Sequence, residues 1–271
     1  MWGYRVLDGL WSVVPVALAW LATRPVSDRE LRRFAARYGL DDSPPTTAVA
    51  PYVRRGRLAR LGGAALGLSL HPLLYAAGLA IPNDDLYYGV LAYLLGAFVT
   101  ALVPLARPAG TRRASLVPRR ATDYLPRTAF VVPPATVALC ALAVVACQIE
   151  PRRYSLVYGS ATGLLVLTAV AVAATLAGIR AVVARSQPAA DPVLVAVDDA
   201  IRSQAAHTLS GAGTAIALLG AAGALLQMGA YASPTWLHVA GLVAGLAAAA
   251  GAVAAWCSIG SAWRVVHTSE P

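Results

Sequence analysis

The longest uncharged stretch of the chain most constrains what it can fold into. From Ser203 to Trp263 the sequence contains no Asp, Glu, Lys or Arg. About 20 apolar residues cross a bilayer as a helix, so this stretch is too long for one span. It fits two spans joined by a turn at Ala232-Ser233-Pro234. The stretch therefore predicts a pair of membrane-spanning helices.

Apolar runs of similar length occur along most of the chain. Six contain no Asp, Glu or Arg, and they lie near 61–80, 86–106, 129–149, 156–179, 208–230 and 236–258. Charged residues make up only 13% of the chain, against about 25% in an ordinary soluble domain. We therefore expect an all-α fold, with residues 1–271 forming a single polytopic transmembrane bundle of about seven spans.

The seventh span is the run at 6–23, which is weaker because it contains Asp8 and Pro15. Arg5 before it and Ala17-Leu18-Ala19 within it resemble a signal peptide. Cleavage there would leave the following arginine-rich segment outside, so we interpret the run as a short, retained first span. A re-entrant or surface-lying helix is the alternative, and six spans would then remain.

The distribution of arginine predicts the orientation of the chain. Segments 24–60, 107–127 and 180–202 hold nine, six and three of the 22 basic residues, and Arg264 lies in the C-terminal tail. The alternating connections hold only Arg5, Arg152 and Arg153. Because arginine is enriched in cytoplasmic loops, we expect a multi-pass protein of the cytoplasmic membrane. Its N-terminus would lie outside and its C-terminus in the cytoplasm.

The cytoplasmic loop 24–57 contains the pattern of an amphipathic helix at 27–38. Ser27 and Glu30 form a capping box, and Gly39 fits the left-handed residue that ends a helix. The segment Asp41–Thr47 is expected to be an irregular linker. We expect contact with anionic lipid head groups from the basic and aromatic residues of the helix, namely Arg29, Arg32, Arg33, Arg37, Phe34 and Tyr38. Packing on the protein's own loops and docking of a protein partner are the alternatives.

A second helix start lies in the third cytoplasmic loop, before the apolar run at 208–230. Asp191 can cap a helix there, with Pro192 as its first residue, and this helix is expected to run into the span beginning near Thr208. Three small-residue motifs, Gly63-x-x-x-Gly67, Gly159-x-x-x-Gly163 and Gly241-x-x-x-Gly245, predict close helix contacts within the bundle.

Few residues suggest chemistry within the spans. His71, followed by Pro72, is the candidate for an intramembrane polar site, whereas His207 and His238 fall at span ends and are expected to be ordinary interface residues. The sequence contains no zinc-protease, phosphate-loop or nucleophile-elbow motif. We therefore expect no catalytic residue, metal or cofactor, and no binding of nucleic acid.

Three segments carry a resemblance to a known group of proteins. They are Ser27-Asp28-Arg29-Glu30-Leu31 leading to Tyr38-Gly39-Leu40, Pro118 to Pro126, and Val197 to Ser203. Together they resemble a group of uncharacterised actinobacterial multi-pass membrane proteins. The resemblance implies a membrane component of a regulated operon, and no particular activity, ligand or catalytic residue.

The sequence thus favours a non-enzymatic accessory or interaction component of the cytoplasmic membrane. The alternative is a small transporter or permease subunit that works with a separate ATPase. The lipid bilayer is the expected surrounding, a membrane or ATPase protein is a possible partner, and a homo-oligomer is possible.

Overall fold

The computed structural model consists of helices wherever it describes the chain. The described residues are 2–40, 46–76, 85–102, 120–149, 151–185, 192–231 and 235–259. The helices in these ranges are α1 (Trp2–Thr23), α2 (Asp28–Tyr38), α3 (Thr46–Ala76), α4 (Asp85–Leu102), α5 (Ala121–Tyr124), α6 (Thr128–Ile149), α7 (Pro151–Val183), α8 (Pro192–Tyr231) and α9 (Thr235–Ile259). The prediction of an all-helical fold is confirmed for this part of the chain.

Four of these helices contain a stretch that is long and apolar enough to cross a membrane. The stretches are Thr128–Ala146 in α6, Thr162–Val183 in α7, Val195–Ala230 in α8 and Thr235–Ile259 in α9. Shorter apolar segments, Val13–Thr23 and Ala92–Ala101, lie in α1 and α4. The described residues thus fit a membrane protein with four candidate spans. The larger number of seven stays a prediction.

Large apolar side chains lie on the outside of the helices. Leu66 in α3, Leu142 in α6 and Val253 in α9 have 72%, 66% and 65% of their surface exposed. Water disfavours such apolar surface when it is contiguous, whereas lipid tails are as apolar as the side chains themselves. The exposure pattern agrees with helices that face lipid.

The helices divide into two compact units by their contacts, and the single transmembrane bundle stays a prediction. Unit 1 comprises Met1–Val117 and Arg185–Ser203, and unit 2 comprises Pro118–Ala184 and Gln204–Pro271. Helix α8 is continuous and contributes its first turns to unit 1 and the remainder to unit 2.

Two helices extend well beyond the apolar runs that identify them in the sequence. Helix α8 begins at Pro192 and continues to Tyr231, which confirms that the loop helix runs into the span beginning near Thr208. Helix α3 begins at Thr46, so much of the second half of the loop 24–57 is helical. The prediction of an irregular linker is therefore wrong for Thr46 and Thr47, and its first part, 41–45, lies outside the described residues.

In unit 1, α1 and α4 both pack against α3. A Cβ atom added to Gly63 of α3 would lie 2.4 Å from the carbonyl oxygen of Ala92, and one added to Gly96 of α4 would lie 2.0 Å from that of Ala59. Later positions in α3 therefore meet earlier positions in α4, so the two helices are antiparallel. Their backbones touch at this point because both glycines lack a side chain.

In unit 2, glycines determine how α8 packs against its neighbours. Gly213 and Gly220 of α8 lie against Thr175 and Thr168 of α7, so these two helices are antiparallel. The backbone of Gly229 meets that of Gly241 in α9, where an added Cβ would lie 2.6 Å from the Cα of Gly229. Helix α8 is the most buried of the four candidate spans: 78% of the residues in an apolar 18-residue window of α8 are buried, against 22% in the corresponding window of α9.

The small-residue motifs are confirmed in part as contact points. Gly63, Gly241 and Gly245 each lie against a neighbouring helix. Gly163 has open space around the position of its missing Cβ, so the prediction is wrong there. The side chains around Gly159 lie outside the described residues.

Candidate functional site

Helix α2 has the ends that its sequence predicts. The backbone N–H of Ser27 donates to Oε2 of Glu30 at 2.9 Å, and the N–H of Glu30 donates to Oγ of Ser27 at 3.4 Å, which completes the capping box. Gly39 ends the helix with φ 61° and ψ 29°, a left-handed conformation that glycine adopts without steric cost. The start and end of α2 are thus determined by local contacts.

The apolar face of α2 packs against the protein. Leu31, Phe34, Ala35 and Tyr38 are all buried, and Leu31, Phe34 and Tyr38 form one cluster with Val49 of α3 and Val197, Ala200 and Ile201 of α8. Phe34 and Tyr38 each have only 6% of their surface exposed, and their ring centroids lie 4.9 Å apart. The expectation that these two aromatic side chains contact lipid is not met in this arrangement. The physical reason is that the extended ends of α3 and α8 supply the apolar surface that covers them.

The contacts of α2 follow α3 in the opposite direction. Near the start of α2, Glu30 binds Arg57 at 3.1 Å, and one turn later Phe34 meets Tyr52 edge-on, with ring centroids 6.3 Å apart. Moving forward along α2 therefore means moving backward along α3, so α2 docks lengthwise on the first part of α3. This docking fixes the position of α2 and leaves its opposite face exposed.

That other face is basic and exposed. Arg29, Arg32, Arg33 and Arg37 are all exposed, as expected from their positions opposite the buried stripe. Since the apolar side chains of α2 are buried against the protein, the arginines are the side chains through which this helix can bind a ligand. The prediction of lipid contact therefore remains for these four residues as a purely electrostatic one.

Arg57 joins α2 to the end of α1. One guanidinium nitrogen of Arg57 donates to both carboxylate oxygens of Glu30, at 3.1 and 3.3 Å, and the other donates to the carbonyl oxygen of Arg24. The guanidinium of Arg24 in turn lies over the ring of Trp20, 4.2 Å from its centroid. The backbone hydrogen bond from Ser27 lowers the pKa of Glu30 below its ordinary 4.5, and the charge of Arg57 lowers it further against the opposing effect of burial.

A second network in unit 1 was not foreseen from the sequence. Arg202 of α8, with 3% of its surface exposed, pairs with Asp198 and donates to the carbonyl oxygen of Arg185 at 2.7 Å. Arg185 donates to the carbonyl oxygen of Ala101 at 3.3 Å, in the last turn of α4. A cation near a helix C-terminus is stabilised by its free carbonyl groups. The network therefore ties the end of α4 to the start of α8. Only the Asp198–Arg202 spacing of four residues signals it in the sequence.

Tyr52 lies among these cations. Burial raises the pKa of Tyr52 to about 12, although the charges of Arg60 and Arg185 act in the opposite direction. Burial and the charge of Arg202 lower the pKa of Arg185, and the charges of Asp198 and Tyr52 oppose that change. The phenol of Tyr52 is thus neutral at physiological pH, and its ring packs edge-on against Phe34.

Of the three histidines considered in the sequence, His207 occupies a different environment from the one predicted. His207 has 1% of its surface exposed, and its Nδ1 lies 3.2 Å from the carbonyl oxygen of Ile259. Because a carbonyl only accepts, this Nδ1 carries the proton. The interpretation of His207 as an ordinary interface residue is therefore wrong. His238 donates in the same manner to the carbonyl of Gly229, at 2.6 Å. His71 lies within α3, but its side chain is outside the described part of the chain, and its role as a polar site stays a hypothesis.

Helix α8 carries two buried hydroxyl groups, of Ser210 and Thr214, that the sequence did not single out. His207, Ser210 and Thr214 recur at the spacing of one helical face, and all three are buried. Uncharged hydroxyls hardly alter the apolar character of a run, so hydropathy gave no signal. Their spacing could have revealed them.

Groups suited to metal ions are absent from the part of the chain that the structure describes: no three His, Cys, Asp or Glu side chains lie together there.

Comparisons with protein-family models, with curated proteins and with solved structures find no match to this chain. The resemblance of three segments to a family of membrane proteins therefore stays a hypothesis. The function has to be argued from the geometry of the chain itself.

Proposed function

We propose that the chain is a seven-span protein of the cytoplasmic membrane, with its N-terminus outside and its C-terminus in the cytoplasm. It acts as a non-enzymatic accessory or interaction component, and anionic lipid head groups are the first ligands of its cytoplasmic surface. The long apolar helices support the membrane setting. The unequal distribution of arginine supports the orientation.

The basic face of α2 is the observation that carries this proposal. A capping box, a left-handed end, an ion pair and a buried stripe hold this helix in place, while four arginines remain exposed. Fixing the helix in advance reduces the entropy lost when its arginines bind. Each arginine near an anionic surface contributes about 1 kcal/mol, so the face contributes a few kcal/mol at most. This is enough to select lipid at the cytoplasmic surface, but it is small beside the insertion of the spans.

Native mass spectrometry of the purified full-length protein tests the lipid part of the proposal. The protein, released from detergent with phosphatidylglycerol, should keep several anionic lipids bound and should prefer them to phosphatidylcholine. Exchange of Arg32 and Arg33 for Gln should reduce this preference. The matched control exchanges Arg54 and Arg55, which are adjacent, exposed and on α3. An equal loss in both variants would show that overall charge acts, rather than the face of α2.

Cysteine-accessibility labelling tests the orientation and the number of spans. Single cysteines at Asn83, Thr111, Ala190 and the two ends of the chain are introduced after the native Cys140, Cys147 and Cys257 have been replaced. We expect labelling from outside at Asn83 and protection at Thr111 and Ala190. Labelling from outside at Thr111 or Ala190 would overturn the orientation, and protection of the N-terminus alone would reduce the number of spans to six.

The alternative proposal is a small transporter or permease subunit with a separate ATPase, and one observation favours it. The buried polar side chains of α8 lie in the most buried of the candidate spans. Transporters place polar groups inside the bundle, away from lipid. An ATPase that co-purifies in mild detergent, and whose hydrolysis rate changes when this chain is added, would decide for the transporter.

A further inference from the structure

Hydroxyl groups buried in this protein fall into two classes. In the first class the hydroxyl donates to a carbonyl oxygen three or four residues earlier in its own helix, the usual arrangement for Ser and Thr in apolar helices. Five buried or half-buried residues belong to it, with distances of 2.6 to 2.9 Å: Ser69, Thr100, Thr136, Thr168 and Thr175. These hydroxyls need no other partner.

Three residues of α8, Ser203, Ser210 and Thr214, belong to the second class. Ser210 and Thr214 are both 0% exposed, and neither hydroxyl oxygen has a hydrogen-bond partner among the described residues. They lie four residues apart, so they occupy the same face of the helix one turn from each other. A hydroxyl kept dry and unbonded is unfavourable, and rotation about χ1 would offer each the bond that the first class makes. Two neighbouring hydroxyls of this kind indicate that another molecule bonds them.

Helix α6 supplies the complementary acceptors. Pro133 and Pro134 lie inside α6 and have no N–H, so the carbonyl oxygens of Ala129 and Phe130 cannot receive their usual helical bonds. Ala129 is 0% exposed. These two carbonyls are therefore buried or half-buried acceptors that need donors from outside their own helix.

The register of the helices brings donors and acceptors to one level. Helix α8 is antiparallel to α7. Helix α6 packs against α7, and α7 begins two residues after α6 ends, which favours an antiparallel α6–α7 pair and therefore a parallel arrangement of α6 and α8. Cys140 of α6 and Ala221 of α8 belong to one packed cluster. Eleven residues earlier lie Ala129 and Ser210, and eleven residues are close to three full turns, so the same faces meet again.

We propose that unit 2 contains a buried water site between α6 and α8. The hydroxyls of Ser210 and Thr214 and the carbonyls of Ala129 and Phe130 hold one or two water molecules. A water molecule can donate to the two carbonyls and also bond the two hydroxyls, which matches the two to four polar partners that buried water requires. Such a site lies at the start of the predicted span 208–230, on the cytoplasmic side.

Water-edited solid-state NMR of the full-length protein in lipid bilayers tests this site directly. Magnetisation from water should reach Ser210 and Thr214 quickly. Thr168 and Thr175 serve as controls in the same spectrum, because they are equally buried in the same unit and bond their own backbone. Transfer to Ser210 and Thr214 that is no faster than to these two threonines would overturn the proposal.

Variants provide a second measurement through the sign of a stability change. With water bound, the double exchange Ser210→Ala and Thr214→Val should abolish the transfer and lower Tm by about 2–4 °C. A dry pair of unbonded hydroxyls would give a higher Tm on the same exchange, which would contradict the site. The exchange Ser210→Thr and Thr214→Ser keeps both hydroxyls and should keep the transfer. Pro133→Ala, which restores an N–H for the Ala129 carbonyl, should weaken it.

Discussion

The contact between α3 and α4 allows a sharp test because two adjacent glycines differ in their surroundings. Gly63 faces α4, and an added Cβ would lie 2.4 Å from the carbonyl oxygen of Ala92. Gly62, one residue earlier on the same helix, has nothing within 4 Å of that position. The exchanges Gly63→Ala and Gly62→Ala therefore add the same methyl group to the same helix, once against a backbone and once in open space.

The expected magnitude follows from the two effects of the methyl group. Alanine stabilises a helix by about 0.5–1 kcal/mol relative to glycine, and this gain applies to both variants. A carbon atom normally approaches a carbonyl oxygen to about 3.3–3.6 Å, so in Gly63→Ala the helices must separate locally by about 1 Å. Overpacking of this kind costs about 1–3 kcal/mol. We expect the free energy of unfolding of Gly63→Ala to lie about 1–3 kcal/mol below that of Gly62→Ala.

Reversible unfolding of the purified protein in mixed detergent micelles, followed by circular dichroism, measures this difference. Gly96→Ala provides the reciprocal change on α4, because its Cβ would lie 2.0 Å from the carbonyl of Ala59. The double variant Gly63→Ala and Gly96→Ala should cost less than the sum of its parts, since one separation relieves both contacts. Equal stability of Gly63→Ala and Gly62→Ala would refute the close approach of these helices.

Three further predictions use other contacts. Glu30→Gln should lose about 0–1 kcal/mol at neutral pH. Because the folded pKa of Glu30 is lowered, its contribution is present above pH 4.5 and is lost as the pH falls through the folded pKa. The variant should lack this acid-dependent loss in a pH series of melting curves, and an unchanged series would contradict it. Gly241→Ala should lower Tm, because the added Cβ would meet the backbone of α8. Gly251→Ala should not, because its Cβ would lie 3.7 Å from a flexible side-chain atom, Cδ1 of Leu218. Equal effects of the two exchanges would argue against the α8–α9 contact. Arg202→Gln should lose about 1–3 kcal/mol in the same unfolding assay, since it leaves the carbonyl of Arg185 without its donor, and unchanged stability would count against that network.

Local patterns in the sequence were sufficient to predict α2 and the continuity of α8. A capping box needs only Ser27 and Glu30, and a left-handed end needs only Gly39, so the information lies within a few residues. The covering of the α2 stripe was not predictable in this way. Val197 and Ile201, which cover it, lie more than a hundred residues away in the chain. An amphipathic helix shows which face is apolar, but it does not show whether lipid or protein lies against that face.

The buried hydroxyls were missed for a different reason. Ser210 and Thr214 lie in an apolar run whose average hydropathy they hardly change. Ser and Thr usually satisfy themselves on their own helix, so their presence in a span carries little information by itself. The structure shows that the hydroxyl of Thr168 bonds its own helix, whereas the hydroxyls of Ser210 and Thr214 do not. Sequence alone shows where the Ser and Thr residues are, but not which of them bond their own helix.

The packing of α7 on α8 shows how a bundle in lipid can still have a unique register. Apolar side chains gain little by exchanging lipid for protein, so hydrophobicity does not select one helix alignment over another. The selection comes from shape: Thr175 and Thr168 are seven residues apart, and so are Gly213 and Gly220, the two residues they meet. A Cβ at Gly213 would lie 1.7 Å from Oγ1 of Thr175. A slip of four residues in either direction would place both threonines opposite residues that have a Cβ, and the helices would have to separate. The two glycines together therefore favour the observed register, and this register fixes the position of the buried hydroxyls of α8.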